Sequence, residues 1–236
     1  MKKILEIKHL QKGNDLMRGS LSKQEVLETL RNRILYLKYI PGTQILDTEI
    51  AKELNVSRTP VREALLMLQN ERLVDIFPQS GTIVSPIDLK LTKEVNYIRH
   101  ILESEVFQSL CGNTECEKVT SHALALQDLA VKEGNPRDYV LNDHLFHHEL
   151  FALAGHGVAW ESFERIYRYT IRYHVLDFFH SKDVFKTSLD EHREIIDCMA
   201  RGDQRGLSEV LLEHHDIELR TGAVLMENYP DYFLQG

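Results

Sequence analysis

The segment "VSRTPVREALLMLQ", residues 56–69, carries the pattern that decides the fold. Four apolar residues in it recur at positions i, i+3, i+4 and i+7, and this spacing predicts a helix with one buried face. These residues are Val61, Ala64, Leu65 and Leu68. Arg58 and Arg62 lie off that face near the start of the helix, where the positive end of the helix dipole disfavours cations. Because an external anion would supply the missing negative charge, the helix start is a candidate anion-binding site.

The flanking sequence places this helix third in a short structural motif. Helical periodicity over residues 24–39 ends at the turn sequence "PGT", and a short helix with Asp47 as its N-cap is expected over residues 47–54. After the third helix, "LVDIF" and "TIVSP" predict two short strands around the turn "PQSG". Three helices followed by a hairpin are typical of a winged helix-turn-helix, so residues 21–86 are predicted to form a DNA-binding domain.

The remaining sequence shows only helical periodicity. The polar stretch that follows Pro86 is the expected linker, and no alternating strand pattern occurs beyond it. The fold class is therefore mainly α, with an N-terminal winged helix-turn-helix and a C-terminal all-α helical bundle of about six helices over residues 87–236. Residues 1–20 are polar and weakly patterned, which predicts a flexible tail. The predicted bundle helices span residues 90–110, 117–133, 136–154, 158–180, 183–201 and 204–226.

Composition restricts the class of protein. With 43% hydrophobic and 27% charged residues, the chain has the composition of a soluble globular protein, and no apolar run approaches the roughly 20 residues that span a bilayer. The three cysteines, Cys111, Cys116 and Cys198, form no C-x-x-C pair, and the N-terminus lacks the apolar segment of a secretory signal. We therefore expect a cytoplasmic protein with reduced thiols and no membrane partner.

Charge is divided unevenly along the chain. Residues 1–83 hold 13 Lys and Arg against 10 Asp and Glu, whereas residues 84–236 hold 15 against 26. The whole chain has a formal charge of −8, so its first part is basic within an acidic protein. This asymmetry favours an anionic partner for the first domain and a cationic one for the second.

Arginines at the start of a recognition helix have a direct use in DNA binding. The N-terminal residues of such a helix reach base edges or phosphates in the major groove. A guanidinium binds guanine O6 and N7 bidentately, which contributes roughly 1–3 kcal/mol of discrimination between bases. The alternative for Arg58 and Arg62 is pairing with Glu63 or solvent on an exposed face.

Three stretches, "PGTQI", "EIAKELNVSRTPVREALLMLQNERLV" and "FPQSGTIV", together resemble the winged-helix domain of the GntR family of bacterial transcription regulators. The resemblance implies that the wing around Gly81 lies in or near the minor groove of operator DNA. Ser80, preceded by Gln79, stands where many members have a basic residue, so the wing is expected to contact phosphate through the backbone at Gly81. The residues to which the resemblance assigns contacts on the recognition helix are Ser57, Arg58, Thr59 and Arg62.

A histidine-rich stretch, "NDHLFHHELF" at residues 142–151, is a candidate metal site in the helical half. Asp143 and His147 are four residues apart, so both project from one helix face and can share a cation. His144 and His148 form a second such pair, rotated about 100° around the helix. Because 12 histidines spread over helices also produce such pairs by chance, the spacing leaves both interpretations open.

Two further histidines can return to the same level of the bundle. His192 and His214 lie on the two arms of a predicted helical hairpin that turns at Gly202 and Asp203. One carboxylate and three imidazoles suit Zn²⁺, Ni²⁺ or Mn²⁺. The set contains no soft thiolate ligand that would favour one of these metals over the others. The pattern D-x-x-F-H, E-H, G-D and a later histidine resembles the FCD domain, the all-helical effector domain of the FadR subfamily. The metal ligands that this resemblance implies are Asp143, His147, His192 and His214.

A further match concerns the first helix of that domain. "YIRHILESE" at residues 97–105 contains the spacing R-x-x-x-E, which implies that Arg99 lines the effector pocket and binds a carboxylate. An intrahelical pair between Arg99 and Glu103 is the alternative. The stretch "ERIYRYTIRYHVLDFF", residues 164–179, is either an ordinary bundle helix or a further wall of the pocket. Its candidate pocket residues are Arg168, Arg172 and His174.

These features predict a DNA-binding transcription regulator and not an enzyme. We expect a homodimeric repressor that binds a two-fold symmetric operator and responds to a small carboxylate metabolite at the metal. One alternative is a metal-dependent hydrolase or lyase with an accessory winged helix, because Asp-His₃ sites with open positions activate water. A second alternative is a regulator that senses the metal directly.

Overall fold

The computed structural model describes residues 21–78 and 81–235, and its first part is a winged helix-turn-helix. A three-stranded antiparallel sheet follows the order β1-β3-β2. The two predicted strands are confirmed as β2 and β3, whereas β1 has only two residues and too little alternation to be predicted. The elements are α1 Lys23–Leu35, β1 Gln44–Ile45, α2 Asp47–Glu53, α3 Arg58–Asn70, β2 Val74–Phe77 and β3 Gly81–Val84. The predicted tail, residues 1–20, and the wing residues Gln79 and Ser80 lie outside the described residues.

Helix α3 is positioned by its apolar stripe and by α1. Its four predicted stripe residues are all buried, as the spacing predicts. Helix α1 begins with a capping box, in which the Glu25 N–H donates to Ser22 Oγ (3.3 Å) and the Ser22 N–H donates to the Glu25 carboxylate (2.8 Å). The guanidinium of Arg31, which is buried, donates to Glu71 just after α3 (2.6 and 2.7 Å). These contacts fix α3 against the domain core and leave its N-terminal end at the surface.

The expected N-cap of the second helix has a different role. Helix α2 begins at Asp47, its N-cap is Leu46, and no side chain caps it. The prediction that Asp47 is the cap is therefore wrong by one position. The Asp47 carboxylate instead accepts hydrogen bonds from two arginines of α3.

The second part is an all-α bundle with seven helices among the described residues. The predicted helix over residues 204–226 is in fact two helices that meet at Asp216. No glycine or proline marks this break, and apolar spacing continues through it, so periodicity alone missed it. No described helix combines the length and the apolar character that crossing a membrane requires. The helices are α4 Leu89–Ser109, α5 Glu115–Glu133, α6 Pro136–Leu153, α7 Gly157–His180, α8 Lys182–Arg201, α9 Gln204–His215 and α10 Ile217–Asn228.

The linker between the two parts is bound to the bundle along its backbone. Arg172 of α7, which is buried, donates to the carbonyl oxygens of Ser85 and Pro86 (3.1 Å for Pro86). The Ile87 N–H donates to the Tyr232 carbonyl (2.7 Å), and the Ile87 carbonyl accepts from Leu234 N–H (2.9 Å). The C-terminal segment therefore holds the linker from one side and α7 holds it from the other. A small apolar cluster completes this joint, formed by Ile87, Tyr173, Leu176, Leu225 and Phe233.

Candidate nucleic-acid interface and metal centre

The N-terminal end of α3 presents a group of exposed polar side chains. Ser57, Arg58, Thr59 and Arg62 are all exposed, and the side chains of the two arginines keep 52% and 59% of their surface. Ser57 is the N-cap residue by position but accepts no capping hydrogen bond, so its hydroxyl is not committed to the helix. The structure thus brings the four residues predicted for the recognition helix together at one exposed helix end.

Both arginines share a carboxylate that the sequence did not indicate. Arg62 Nε donates to Asp47 Oδ2 (2.5 Å), and Arg58 Nη2 donates to Asp47 Oδ1 (3.1 Å). Glu63, the partner considered from sequence, pairs with Lys23 instead (3.0 Å). Burial raises the pKa of Asp47, but the hydrogen bonds from Arg62 and Arg58 outweigh it and hold that pKa below its usual value. Asp47 is therefore an ionised anion that already occupies the arginine pair.

The wing glycine is needed for the turn into β3. Gly81 has φ of +106°, a backbone conformation that side-chain-bearing residues rarely adopt. A Cβ there would also lie 3.2 Å from Gln44 Nε2 on the neighbouring strand. Gly81 faces Phe77 across the hairpin, at the end of the β2–β3 register. The structure therefore places Gly81 at the base of the wing turn.

Four titratable side chains meet in the core of the helical bundle. Asp143 and His147 come from α6, His192 from α8 and His214 from α9, and one ligand atom of each lies within 4.8 Å of all the others. Asp143 Oδ1 is 3.4 Å from His192 Nε2 and 3.9 Å from His147 Nε2. His192 Nε2 is buried and has no hydrogen-bond partner among the described residues. An unpaired imidazole nitrogen beside a carboxylate fits a metal ion, so this set can hold a divalent one.

Three of the candidate ligands are hydrogen-bonded from the far side, and the fourth, His147, has a carboxylate oxygen within 3.0 Å of its Nδ1. Such contacts fix the ring orientation and direct the lone pair of Nε2 toward the centre of the group. Gln127 lies on α5 and Glu191 on α8 directly before His192, and the sequence did not predict a contact with a ligand for either. The contacts are Gln127 Oε1 to His192 Nδ1 (2.8 Å), Glu191 Oε2 to His214 Nδ1 (2.9 Å), Glu103 Oε1 to His147 Nδ1 (3.0 Å) and the Tyr167 hydroxyl to Asp143 Oδ2 (2.9 Å).

The three imidazoles are neutral in this environment. Burial lowers the pKa of His147 to about 4. Burial, followed by neighbouring positive charge, also lowers the pKa of His192 and of His214 well below the usual value. Metal ions bind the neutral form of histidine, so the burial that disfavours protonation leaves these rings ready to coordinate.

Arg99 reaches into the same cluster. Its side chain is buried on α4, and Nε donates to Glu103 Oε1 (2.8 Å). Nη2 contacts His147 Nε2 and lies 3.2 Å from His214 Nε2. The intrahelical pair and the pocket position considered from sequence therefore occur together. Burial raises the pKa of Glu103, but the charge of Arg99 and the hydrogen bond with His147 outweigh it, so the pKa lies well below its usual range.

A small cavity of about 20 Å³ adjoins the cluster. Of the three candidates on α7, His174 lines this cavity, whereas Arg172 points to the linker and Arg168 is not a lining residue. Glu191 stands next to His192 and Tyr167 lies in the aromatic stretch 164–179, so both had a local signal, but Gln127 comes from a helix with no motif that marks it. The cavity is lined by Arg99, Tyr139, Val140, Asp143, Tyr167, His174, Phe185, Ser188 and His214.

Comparison with known proteins gives two matches along the chain. The model for bacterial regulatory proteins of the gntR family matches residues 22–84, and the model for the FCD domain matches residues 94–216. The chain is 26% identical over 214 residues to the HTH-type transcriptional repressor RspR of Escherichia coli, covering 89% of this chain and 92% of the relative. It is 29% identical over 189 residues to an uncharacterized HTH-type transcriptional regulator in an unstable DNA locus of Streptomyces ambofaciens, covering 78% of each.

Solved structures show the same fold. A transcriptional regulator GntR from Rhodococcus sp. RHA1 superposes with a TM-score of 0.69 at 23% identity, covering 88% of this chain and 98% of that one. E. coli McbR/YncC superposes with a TM-score of 0.65 at 18% identity, covering 90% and 100%. Both similarities extend over nearly the whole of the solved chain, so the overall fold is shared.

Proposed function

This protein belongs to the gntR family of bacterial regulatory proteins and carries an FCD domain, and from that premise we propose that it is a metal-containing, ligand-controlled repressor. Membership makes it a transcription regulator and sets aside the metalloenzyme alternative, since its relatives are transcription regulators and not enzymes. The observation that carries the proposal is the pairing, in one chain, of an exposed arginine tip with a buried Asp-His₃ group that contacts Arg99.

At the DNA interface, phosphate or guanine replaces Asp47 as the partner of Arg58 and Arg62. Exposed ion pairs of this kind contribute only about 0–1 kcal/mol, so the arginines exchange partners at little cost. Ser57 and Thr59, exposed at the same helix end, add hydrogen bonds from their hydroxyl groups to the DNA backbone. The wing contacts a DNA phosphate at Gly81. Operator binding then uses a helix end with a preassembled pair of cations.

In the second domain, Asp143, His147, His192 and His214 hold Zn²⁺, Ni²⁺ or Mn²⁺. When bound, such an ion would supply Lewis-acid chemistry for a ligand carboxylate. Arg99 contacts two of the imidazoles through Nη2, and on metal binding it would release them and pair bidentately with that carboxylate. The effector class supported by this set is therefore a small carboxylate.

Helix α7 provides the route from the effector to the DNA-binding domain. Tyr167 contacts Asp143 of the metal cluster, and Arg172, five residues later on the same helix, binds the linker carbonyls of Ser85 and Pro86. A displacement of α7 would act on the metal cluster and on the linker together, because α7 contacts both directly. The effector controls operator affinity to the extent that it binds one arrangement of α7 better than the other.

We propose a homodimer because a single helix-turn-helix reads too few base pairs and paired half-sites are the usual solution. Repression is the proposed direction of control, supported by RspR, a full-length relative that is named a repressor. Binding of the carboxylate would then release the operator.

A second candidate function is direct sensing of the metal. It is favoured by the contacts of the Arg99 guanidinium with Nε2 of His147 and His214, because these contacts and metal ligation by the same atoms exclude one another. Metal arrival alone would then reposition Arg99 and the helices attached to it. Operator affinity measured with and without metal, and with no carboxylate added, separates this candidate from the first.

Native mass spectrometry of the purified chain, followed by operator binding, tests the proposal. We expect a dimer with one divalent ion per chain, and fluorescence anisotropy on a duplex selected from a random library should show tight binding that a carboxylate relieves. His147→Ala should lower the metal content while leaving DNA binding by the metal-free protein unchanged. Full metal occupancy in His147→Ala would contradict the ligand set, and operator affinity insensitive to every carboxylate tested would contradict effector control.

A further inference from the structure

A groove lies between the winged helix-turn-helix and the C-terminal segment of the chain. One wall is the outer face of the β2–β3 hairpin, the other is formed by residues 230–235, and Pro86 of the linker lines it as well. The groove has a volume of about 390 Å³ and opens to solvent. Sites for small organic ligands have volumes of roughly 300–1,000 Å³. This interdomain groove is therefore large enough to hold a small molecule.

The hairpin wall presents one acidic and two apolar side chains. Asp75 pairs with Ile83 across the two strands, and Phe77 lies two residues further along β2. Because side chains alternate between the faces of a strand, these three share one face, opposite the buried Val74 and Thr82. Phe77 keeps 48% of its surface exposed although it is a large apolar residue. This outer face of the sheet therefore offers apolar contact area beside a carboxylate.

The opposite wall repeats the same combination. Leu234, which is 54% exposed, supplies an apolar side chain, and Asp231 supplies a carboxylate. The backbone of this segment is held by the hydrogen bonds of Ile87 with the Tyr232 carbonyl and the Leu234 N–H. The second wall is thus fixed beside the linker, facing the hairpin of the winged domain.

The two carboxylates of the groove are available to an external cation. Among the described residues, neither Asp75 nor Asp231 forms a hydrogen bond or an ion pair, and no lining residue is basic. The charge of Asp75 acts on Arg172, but that guanidinium donates its hydrogen bonds to the linker carbonyls. The groove therefore combines net negative charge with exposed apolar surface, and it favours a cation that has an apolar body.

We propose that the interdomain groove is a second ligand site, which binds a small amphipathic amine. The ammonium group pairs with the carboxylates of Asp75 and Asp231, and the apolar body packs against Phe77 and Leu234. An ammonium group only donates hydrogen bonds and a carboxylate only accepts them, so the two are complementary. None of the groove residues belongs to the metal cluster, so the site is separate from that of the proposed carboxylate effector.

The position of the groove gives such a ligand a consequence for DNA binding. One wall belongs to the winged domain, and the other belongs to the segment that is bound to the linker. A ligand that contacts both walls restrains the winged domain against the bundle. Operator affinity then changes to the extent that DNA binding needs a different relative position of the two parts.

Three matched probes test the charge and the apolar body separately. 2-Phenylethylamine and 2-phenylethanol share one aromatic body and differ in charge, whereas ethylamine carries the charge without the ring. Ligand-observed NMR titrations of the purified full-length protein compare their dissociation constants. We expect the aromatic amine to bind about tenfold more tightly than the alcohol, since two exposed ion pairs contribute a few-fold each. Ethylamine should bind about tenfold more weakly than the aromatic amine, because it buries no ring.

Four variants locate these preferences in the protein. Asp75→Asn and Asp231→Asn should each lower the amine-to-alcohol ratio about threefold, and the double variant should bring it close to one. Phe77→Ala should weaken both aromatic probes equally and keep their ratio. Asp197→Asn, at an exposed position on α8, is the matched control and should keep the full ratio. All four positions are exposed, and thermal unfolding checks that each variant is folded.

The outcomes are distinct from those of the proposed function, because no variant touches the metal cluster. Equal binding of amine and alcohol, or a full ratio in the double variant, would overturn the site. A shift of the monomer–dimer equilibrium in Phe77→Ala, seen by native mass spectrometry together with no amine binding, would overturn it in favour of a second copy of the chain in the groove. Operator affinity that stays constant at saturating amine would overturn the coupling to DNA binding.

Discussion

Arginine pairs with a carboxylate both at the proposed DNA interface and in the metal cluster, but one pairing is exposed and the other is buried. At the tip of α3, Arg58 and Arg62 share Asp47 at the protein surface, with half of each arginine side chain exposed. In the bundle, Arg99 and Glu103 pair with almost no exposure and with two histidines in contact. Solvent weakens the first pair and makes it exchangeable, whereas burial makes the second pair costly to separate. The exposed pair is suited to meeting an external anion, and the buried pair to holding a defined arrangement until a ligand enters.

The largest expected effect comes from removing the buried carboxylate. Glu103→Gln leaves the Arg99 charge without its partner and removes the contacts that Glu103 makes with His147 and His215. Loss of one member of a buried ion pair costs about 3–5 kcal/mol, so the free energy of unfolding should fall by that amount. Denaturant unfolding followed by circular dichroism measures it. A loss as small as that of Asp47→Asn in the same assay would mean that burial does not distinguish the two pairs.

Acid should destabilise the helical bundle through its buried histidines. The pKa of His147 is lowered to about 4 and that of His174 to about 3, so the unfolded chain binds more protons than the folded one as pH falls below about 6.5. Stability is then fully present above about pH 6.5 and is lost as pH falls, by about 1.4 kcal/mol per pH unit for each such histidine. Thermal unfolding of metal-free protein between pH 7 and pH 4 should show this decline, with a shallower slope in His174→Phe. An unchanged slope in that variant would contradict the burial of a neutral imidazole.

Removing one arginine of the exposed tip should affect DNA binding alone. Arg62→Ala should weaken specific operator binding by about 1–3 kcal/mol, because the guanidinium contact to base or phosphate is lost. Metal content and unfolding temperature should stay as in the wild type, since the side chain is exposed. Arg205→Ala, exposed on α9 and paired only at the surface, is the control for loss of a positive charge. Equal weakening by both variants in anisotropy titrations would point to net charge and not to position.

The smallest expected effect has the opposite sign. Asp47→Asn removes the internal competitor for Arg58 and Arg62, so operator affinity should rise, by no more than about 1 kcal/mol or fivefold. The gain should shrink at high salt, because screening weakens the pair that the substitution removes. Anisotropy titrations at two salt concentrations measure both effects. A loss of affinity would show that Asp47 orients the arginines for DNA more than it competes for them.

Local sequence patterns were sufficient to predict much of the secondary structure and its buried faces. The apolar stripe of α3 and the arginines off that stripe follow from 3.6-residue periodicity alone, and the hairpin of β2 and β3 follows from alternation and turn residues. Asp143 and His147 share a helix face for the same reason, a predicted helical hairpin made His192 and His214 further candidates, and resemblance to a family assigned all four as ligands. The structure brings these four side chains together, and their role as ligands stays a prediction.

Contacts between distant parts of the chain could not be predicted from periodic spacing. Asp47 as the partner of Arg62, Gln127 behind His192 and the backbone of Ile87 bound by the C-terminal segment all join residues that no periodic spacing relates. The helix break at Asp216 also depends on packing, because the apolar spacing runs through it. Periodicity reports which side of an element faces inward, whereas a pair between elements depends on how they pack. For this chain, sequence was therefore enough for most of the elements and for the kind of chemistry each carries, and only the packed fold decided β1, the break at Asp216, which charges meet and which stay exposed.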